Sequence, residues 1–487
     1  MDKSEDHYVT KGFMKSITKR ILDKPESNCG IAAVYGSPEA SKLVYLALYA
    51  LQHRGQESAG IVSSDTINVR RHVGQGLVAD VFSDPKRFTY LSGSLAIGHN
   101  RYSTTGSTHL VNAQPLLVNS KNGPFAISHN GNFTNSGYLR KSLEDEGSLF
   151  QTTTDTEVIA HLVARSRARS THEKIIDALD QIRGAYSLVM LTRDRIYAAR
   201  DPFGVRPLCI GKKDETYIIA SETCALDLVR ANPLRDVQPG ELVEISDEGL
   251  ISYPFASAEK THACIFEFVY FARPDSRIFN ENVDRVRRKL GKILALESPV
   301  DADIVIAVPD SSNTAAIGYS RRTNTKFELG LIRNHYVGRT FIHPQQNMRD
   351  FGVRVKFNTV KGVLQGRRVV VVEDSIVRGT TLRQLVQLIR QAGAKEVHVR
   401  VSSPPIVSPC YYGMDFPSKA ELIANKKSVE QIREYLDCDS LAYLSVEGLL
   451  SSVSHKEGGF CTACFTGSYP ISIEESIGKF QHEIQLV

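Results

Sequence analysis

With 487 residues and ordinary apolar and charged fractions, the chain is long enough for two sizeable domains, each burying its own core. A net charge of only +5, with no basic block, argues against nucleic-acid binding, and no apolar run is long enough to span a bilayer. Residues 1–28 are polar and lack the apolar core of a secretory signal. Acids at Asp2, Glu5, Asp6, Asp23 and Glu26 oppose an organellar transit role, despite the basic KSITKR run, so a cytoplasmic location is expected. Eight cysteines in a long chain without a signal point to a reducing compartment, where catalytic or metal roles are favoured over disulfides.

In chain order, the first element is Asn28-Cys29-Gly30-Ile31-Ala32-Ala33-Val34-Tyr35-Gly36, a short strand-like run beginning abruptly after the polar leader. A cysteine at such a position is usually a small buried residue. Ala50 to Ile61, which contains Gln52-His53-Arg54-Gly55-Gln56, closes a helix and turns into a strand. Gly98 to Gly106 and Ser128-His129-Asn130-Gly131-Asn132 are polar clusters at strand ends, and an isolated Asn-Gly reads as a turn. Thr154-Asp155-Thr156-Glu157 is expected to cap the helix EVIAHLVARS, with Glu157 serving its first turn. Ala198 to Leu208 and Ala220 to Thr223 read as strands and turns without chemistry, with Cys209 and Cys224 as buried thiols.

Together these segments resemble the class II, N-terminal-nucleophile glutamine amidotransferase domain, an α/β/β/α sandwich. The resemblance implies removal of a 1–28 propeptide, leaving Cys29 as both nucleophile and N-terminus. Its own α-amine, with a reference pKa of about 7.7–8.0, would then be the proton acceptor. Arg101 suits the α-carboxylate of glutamine and Asp155 its α-ammonium. The Asn130 amide and Gly131 N–H would form the oxyanion hole. Arg54 fits the motif as a structural buttress, while His53 and His99 are expected to pack or hydrogen-bond.

A boundary is expected near Pro254–Glu259, giving domains 29–258 and 259–487. Beyond it, Ala302 to Pro309 reads as a buried strand, followed by Asp310-Ser311-Ser312-Asn313 and a helix. Ser311 there is either a helix cap or a ligand. Ile332 to Ile342 and Val353 to Asn358 flank a polar, irregular segment. Arg368-Val369-Val370-Val371-Val372 reads as a strand buried on both faces of a parallel sheet, ending in Glu373 and Asp374. Ser375-Ile376-Val377-Arg378-Gly379-Thr380-Thr381 then opens onto the helix LRQLVQLIRQAG. Unpaired N–H groups and a helix N-terminus favour an anion at such a junction, and Gly379 allows close backbone approach. The acid pair suits sugar hydroxyls and hydrated Mg²⁺.

The EDSIVRGTT stretch resembles the phosphoribosyl pyrophosphate (PRPP) loop of type I phosphoribosyltransferases, in the form carried by the amidophosphoribosyltransferase branch, with Glu373 where aspartate is commoner. That resemblance implies an α/β transferase domain whose Mg²⁺ is held by Ser311, Glu373 and Asp374. The irregular segment would close over PRPP and bring Lys356 to the pyrophosphate. Cys461-Thr462-Ala463-Cys464 alone is a redox pair or half a zinc site. With Cys264 and Cys410 it resembles the iron–sulfur, Bacillus-like subgroup, in which four cysteines hold a structural 4Fe–4S cluster. Four thiolates also suit zinc. Cys438 has no matching role.

The reading over residues 29 to about 470 is glutamine-dependent synthesis of 5-phosphoribosylamine from PRPP, opening purine synthesis, with ammonia passed internally. Purine nucleotide feedback inhibitors and a homotetramer are further implications of the resemblance. A class II enzyme making glucosamine phosphate would lack EDSIVRGTT, and a non-catalytic PRPP sensor would not need the glutaminase set.

Overall fold

The computed structural model describes residues 29–102, 108–258, 260–334, 356–416, 418–454 and 459–473. The leader, the end of the Gly98–Gly106 cluster and the segment expected to close over PRPP lie outside these residues.

Two antiparallel sheets fill the first half. One runs Asn232–Asp236, Cys209–Lys213, Thr216–Ala220, Gly30–Tyr35, Leu95–Arg101, Ser58–Ser64 and Val69–Gln75. The other runs Gly249–Pro254, Glu241–Ser246, Ile196–Arg200, Gly184–Leu191, Gly123–Phe133 and Leu116–Ser120. Alternating side chains make each sheet apolar on both faces. Ile31, Ala33 and Ile97 of the first meet Ala126, Val189 and Ala198 of the second, forming the inner layer. Helices Ala40–Ala50 and Thr223–Val229 cover the first sheet's outer face. Ser136–Asp145, Glu157–Arg165 and Thr171–Leu179 cover the second. The result is the expected α/β/β/α sandwich, with Gly30–Tyr35 central in its sheet and Cys29 at that strand's entrance.

In the second half, a five-stranded sheet runs Lys326–Phe327, Ile304–Ala307, Arg368–Glu373, Glu396–Val401 and Ser440–Tyr443, every pair parallel. The four valines are buried alternately against opposite faces. Val370 and Val372 pack with Val283, Leu290 and Phe268; Val369 and Val371 pack with Leu385, Ile389 and Val399. No helix among the described residues is long and apolar enough to cross a membrane.

The halves are joined by buried charge. Arg54 donates through Nε to Glu222 and through Nη2 to Glu267 at 2.6 Å, and Arg206 Nη1 lies 3.4 Å from Glu267. Arg54, Arg206, Glu222 and Glu267 are all essentially without solvent exposure. Glu222 reaches across the seam as well, accepting from Ser276 Oγ at 2.6 Å and from the Arg273 N–H at 2.9 Å. Burial alone would raise the Glu222 carboxyl, but Arg54 and His53 hold it well below the usual carboxylate range. Glu267 opens a π-helical turn, Glu267–Phe271, whose Phe268 carbonyl accepts from buried Arg287 at 2.7 Å. Arg54 is therefore the buttress expected of it, whereas Arg206 and Glu222 are more than the strand-and-turn residues read from sequence.

Removing one member of a buried ion cluster leaves an unpaired charge, at a cost of about 3–5 kcal/mol. Glu267→Gln is therefore expected to lower the denaturant midpoint of unfolding markedly. Glu144→Gln, which breaks a surface pair with Arg140, is expected to leave it nearly unmoved, because the Glu144 side chain is 48% exposed. Equal effects from the two substitutions would contradict the role given to the cluster.

Candidate active site

The glutaminase residues expected from sequence converge on one cleft, lined by Cys29, Arg101, Tyr102, Gln114, His129, Gly131, Thr154 and Asp155. Cys29 and Arg101 lie at strand ends, His129 and Gly131 in the second half of the strand Gly123–Phe133, and Thr154 and Asp155 in the loop before the helix Glu157–Arg165. Gly30 pairs with Asn100, placing Cys29 beside Arg101 at the end of the neighbouring strand. A Cβ on Gly30 would meet Asn100 Oδ1 at 2.1 Å, so the residue after the cysteine must be glycine. The Cys29 thiol donates to the Tyr102 carbonyl at 3.4 Å. Burial pushes the thiol up to about 12, with Arg101 opposing and Glu57 and Asp155 adding to the rise. At neutral pH it is protonated, so its nucleophilicity requires a base.

Asn130 is fully buried, and neither its side-chain nitrogen nor its oxygen has a hydrogen-bond partner among the described residues. Burying an amide unpaired is costly, and this one immediately precedes the cleft residue Gly131. Gly131 follows with φ +148, and a Cβ there would lie 2.0 Å from the Ala185 carbonyl oxygen. Asp155 Oδ2 accepts from the Phe133 N–H at 2.9 Å, and Oδ1 lies 3.6 Å from His129 Nδ1. His99 Nε2 donates to the His129 carbonyl at 3.0 Å. Burial holds its imidazole down to about 3, so it stays neutral and packs, as expected.

One expectation is corrected. Thr156 precedes the helix Glu157–Arg165 in helical conformation and makes no side-chain cap. Glu157 instead looks backward, accepting from the Gln151 and Thr152 N–H groups at 2.8 and 2.7 Å and from Thr152 Oγ1 at 2.8 Å. Its carboxylate braces the loop that delivers Asp155. Gln114 was not singled out from sequence. Its amide bridges the His129 N–H at 2.8 Å and Thr156 Oγ1 at 3.0 Å, and a lone Gln-Pro carries no local signal of that.

In the second half, Glu373, Asp374, Ser375, Ile376 and Val377 are buried at the C-terminal end of the central strand. Ser311 Oγ donates to Asp374 Oδ2 at 2.5 Å, Ser375 Oγ to Asp374 Oδ1 at 2.6 Å, and Ser312 Oγ to Glu373 Oε1 at 3.1 Å. Ser311 thus lies on the acid pair and is not the helix cap; Ser312 occupies the position before Asn313–Thr323, without a capping bond of its own. Gly379 has φ +78 at the start of Thr380–Gln391, a conformation that favours glycine. Arg378 pairs with Glu421 at 2.9 Å, Thr380 is exposed and Thr381 buried. Lys356 stands at the near edge of the undescribed segment, its carbonyl accepting from the Asn334 N–H at 2.8 Å.

Strand pairing gathers the four cysteines. His262–Cys264 runs parallel to Gly459–Cys461 with Cys264 opposite Cys461, and the Cys464 carbonyl accepts from the Val407 and Ser408 N–H groups just before Cys410. Burial raises all four thiols, Cys461 to about 12, and the negative charge of neighbouring thiols adds to the rise at Cys264, Cys461 and Cys464. No group of three or more His, Cys, Asp or Glu side chains among the described residues stands in metal-binding geometry. The donor chemistry fits a thiophilic metal, while the side chains as arranged do not enclose one. Cys438 is buried, its thiol 3.8 Å from the Arg433 carbonyl.

The sequence model of a glutamine amidotransferase domain matches residues 99–228. The chloroplastic amidophosphoribosyltransferase of Vigna aconitifolia is 52% identical over 453 residues, covering 93% of each chain. The amidophosphoribosyltransferase of Bacillus subtilis is 49% identical over 450 residues, covering 91% of this chain and 94% of its own. Among solved structures, the glutamine PRPP amidotransferase of B. subtilis, complexed with ADP and GMP, superposes with a TM-score of 0.88. It is 48% identical, covering 93% of this chain and all of that one. With about half its residues shared along nearly its whole length, and with the same fold, the chain belongs to the amidophosphoribosyltransferase family.

Proposed function

We propose that Cys29 is the nucleophile, and Glu373-Asp374 the PRPP-binding acids, of a chain with the family's activity. That activity is the displacement of pyrophosphate from PRPP by glutamine-derived ammonia, giving 5-phosphoribosylamine at the first step of purine synthesis. The observation that carries the glutaminase half is the cleft joining Cys29, Arg101, Gly131 and Asp155 beside the unpartnered Asn130 amide.

Removal of residues 1–28 frees the Cys29 α-amine. This amine takes the thiol proton as sulfur attacks the side-chain amide carbon of glutamine. Arg101 holds the substrate carboxylate and Asp155 its ammonium. The oxyanion that develops is met by the Asn130 amide and the Gly131 N–H. The amine returns the proton to the departing nitrogen, ammonia leaves, and water cleaves the glutamyl thioester to glutamate. In the second domain, 259–487, Ser375 to Thr381 hold the 5-phosphate and Asp374 the ribose hydroxyls, with Lys356 reaching the pyrophosphate. Ser311, Glu373 and Asp374 would hold Mg²⁺, which when bound offsets charge on the leaving pyrophosphate. Ammonia travels inside the protein, since in water it would be protonated and lost.

Cys264, Cys410, Cys461 and Cys464 would hold a 4Fe–4S cluster, a structural group tying the chain's end to the start of the second domain. Support comes from the opposed Cys264 and Cys461 and from the shared electrostatics of the thiols. Feedback by purine nucleotides is supported by the ADP and GMP bound to the B. subtilis relative. A homotetramer in the cytoplasm completes the proposal.

Amino-terminal sequencing of active protein is expected to return Cys29, and Met1 would sink the processing step. Cys29→Ser should abolish glutamine-dependent synthesis yet spare synthesis from ammonia. Asp374→Asn should cripple both while leaving basal glutamine hydrolysis; wild-type synthesis from ammonia in that variant would refute the PRPP assignment. Protein purified without oxygen should carry about four irons per chain, and stoichiometric zinc without iron would replace the cluster by a zinc site.

A further inference from the structure

The oxyanion peptide at Gly131 is enclosed by both halves of the protein. On one side it pairs with the strand Gly184–Leu191, close enough that a Cβ on Gly131 would strike the Ala185 carbonyl oxygen at 2.0 Å. On the other side stands Gly413, in the loop that follows Cys410. A Cβ on Gly413 would lie 2.8 Å from the Gly131 carbonyl carbon, 2.9 Å from its Cα and 3.0 Å from its oxygen. Two backbone segments nearly 300 residues apart are therefore in van der Waals contact, with room for no side chain between them.

The same loop is pinned at each neighbouring residue. The Tyr411 carbonyl accepts from Asn132 Nδ2 at 3.0 Å, next to Gly131 in sequence. The Tyr412 carbonyl accepts from Arg206 Nε at 2.9 Å and from Nη2 at 2.5 Å, and Arg206 is the fully buried arginine paired with Glu267. Tyr412 Oη donates to the Ile471 carbonyl at 2.7 Å, fixing the far side of the loop. Gly413 itself has φ +98, so both its conformation and its surroundings demand glycine.

We infer that the Tyr411–Gly413 loop is a positioning element for glutaminase chemistry: by packing on the Cα and carbonyl of Gly131 it fixes this residue so that its N–H points where the oxyanion develops. This rests on reading Asn130 and Gly131 as the oxyanion hole. Tyr411, Gly413, Asn132 and Arg206 are positioning residues, since none is required to touch glutamine. An oxyanion donor acts in the transition state more than in the bound substrate, and a displacement of about 1 Å costs on the order of 100-fold in rate.

Three variants test the inference: Gly413→Ala, Asn132→Ala and, as a reference, Asn130→Ala. Gly413→Ala and Asn132→Ala should each lower kcat for glutamine-dependent synthesis by about 10- to 100-fold, with KM for glutamine within about twofold of wild type. Synthesis from ammonia should stay within about twofold, because it does not use this peptide. A wild-type glutamine kcat in Gly413→Ala, alongside a loss in Asn130→Ala, would overturn the clamp and keep the oxyanion hole. A wild-type kcat in Asn130→Ala would overturn the oxyanion reading and the clamp with it. Loss of both activities in both loop variants would assign the loop to folding and likewise overturn it.

Discussion

Two arginines and two glutamates buried in the seam hold the molecule's two halves in register. Their charges cancel, but only when all four are in place, because an isolated ion in the interior is costlier than the fold can tolerate. Arg54 and Arg206 come from the sandwich with Glu222, while Glu267 comes from beyond it. Separating the halves would strand Glu267 and deprive Arg206 of a carboxylate. The glutaminase cleft is reached through this network, since Arg206 continues from Glu267 to the Tyr412 carbonyl. The transferase side is reached through it as well, since the turn that Glu267 opens is held by Arg287 from the helix Val283–Glu297.

Much of this was legible in the sequence where physics acts locally. Four valines in a row announce a strand covered on both faces, and the acids and glycine that follow announce the turn into the helix Thr380–Gln391. Cys29, Arg101, Gly131 and Asp155 stand out because their motifs occur in order, and the fold brings them to one cleft, with Asn130 next to Gly131 in its strand. Glu222, Arg206 and Gly413 carry no such signal. Each is a single residue whose partner lies far along the chain, and an ion pair or backbone contact at that separation leaves no periodicity and no motif. Glu157 departs from the expected cap for a related reason. A carboxylate at a helix start usually serves its own first turn, but here the preceding loop presents two free N–H groups at closer reach.

The two sites treat their polar groups differently. In the sandwich, the Asn130 amide is kept buried and without a hydrogen-bond partner among the described residues. At the end of the parallel sheet, Asp374 has both oxygens occupied by serine hydroxyls, from Ser311 on one side and Ser375 on the other. Those hydroxyls stabilise the carboxylate and are themselves oxygen donors suited to a hard cation.

The lateness of the Cys410–Met414 loop in the chain bears on how the protein is made. A ribosome delivers the sandwich first, and amino-terminal domains fold as units before the rest has emerged. At that moment the wall behind Gly131 has not been synthesised, and the strand Gly459–Cys461 that pairs beside Cys264 comes later still. A nascent sandwich thus brings Cys29, Arg101 and Asp155 together before the backbone that packs against Gly131 has been made.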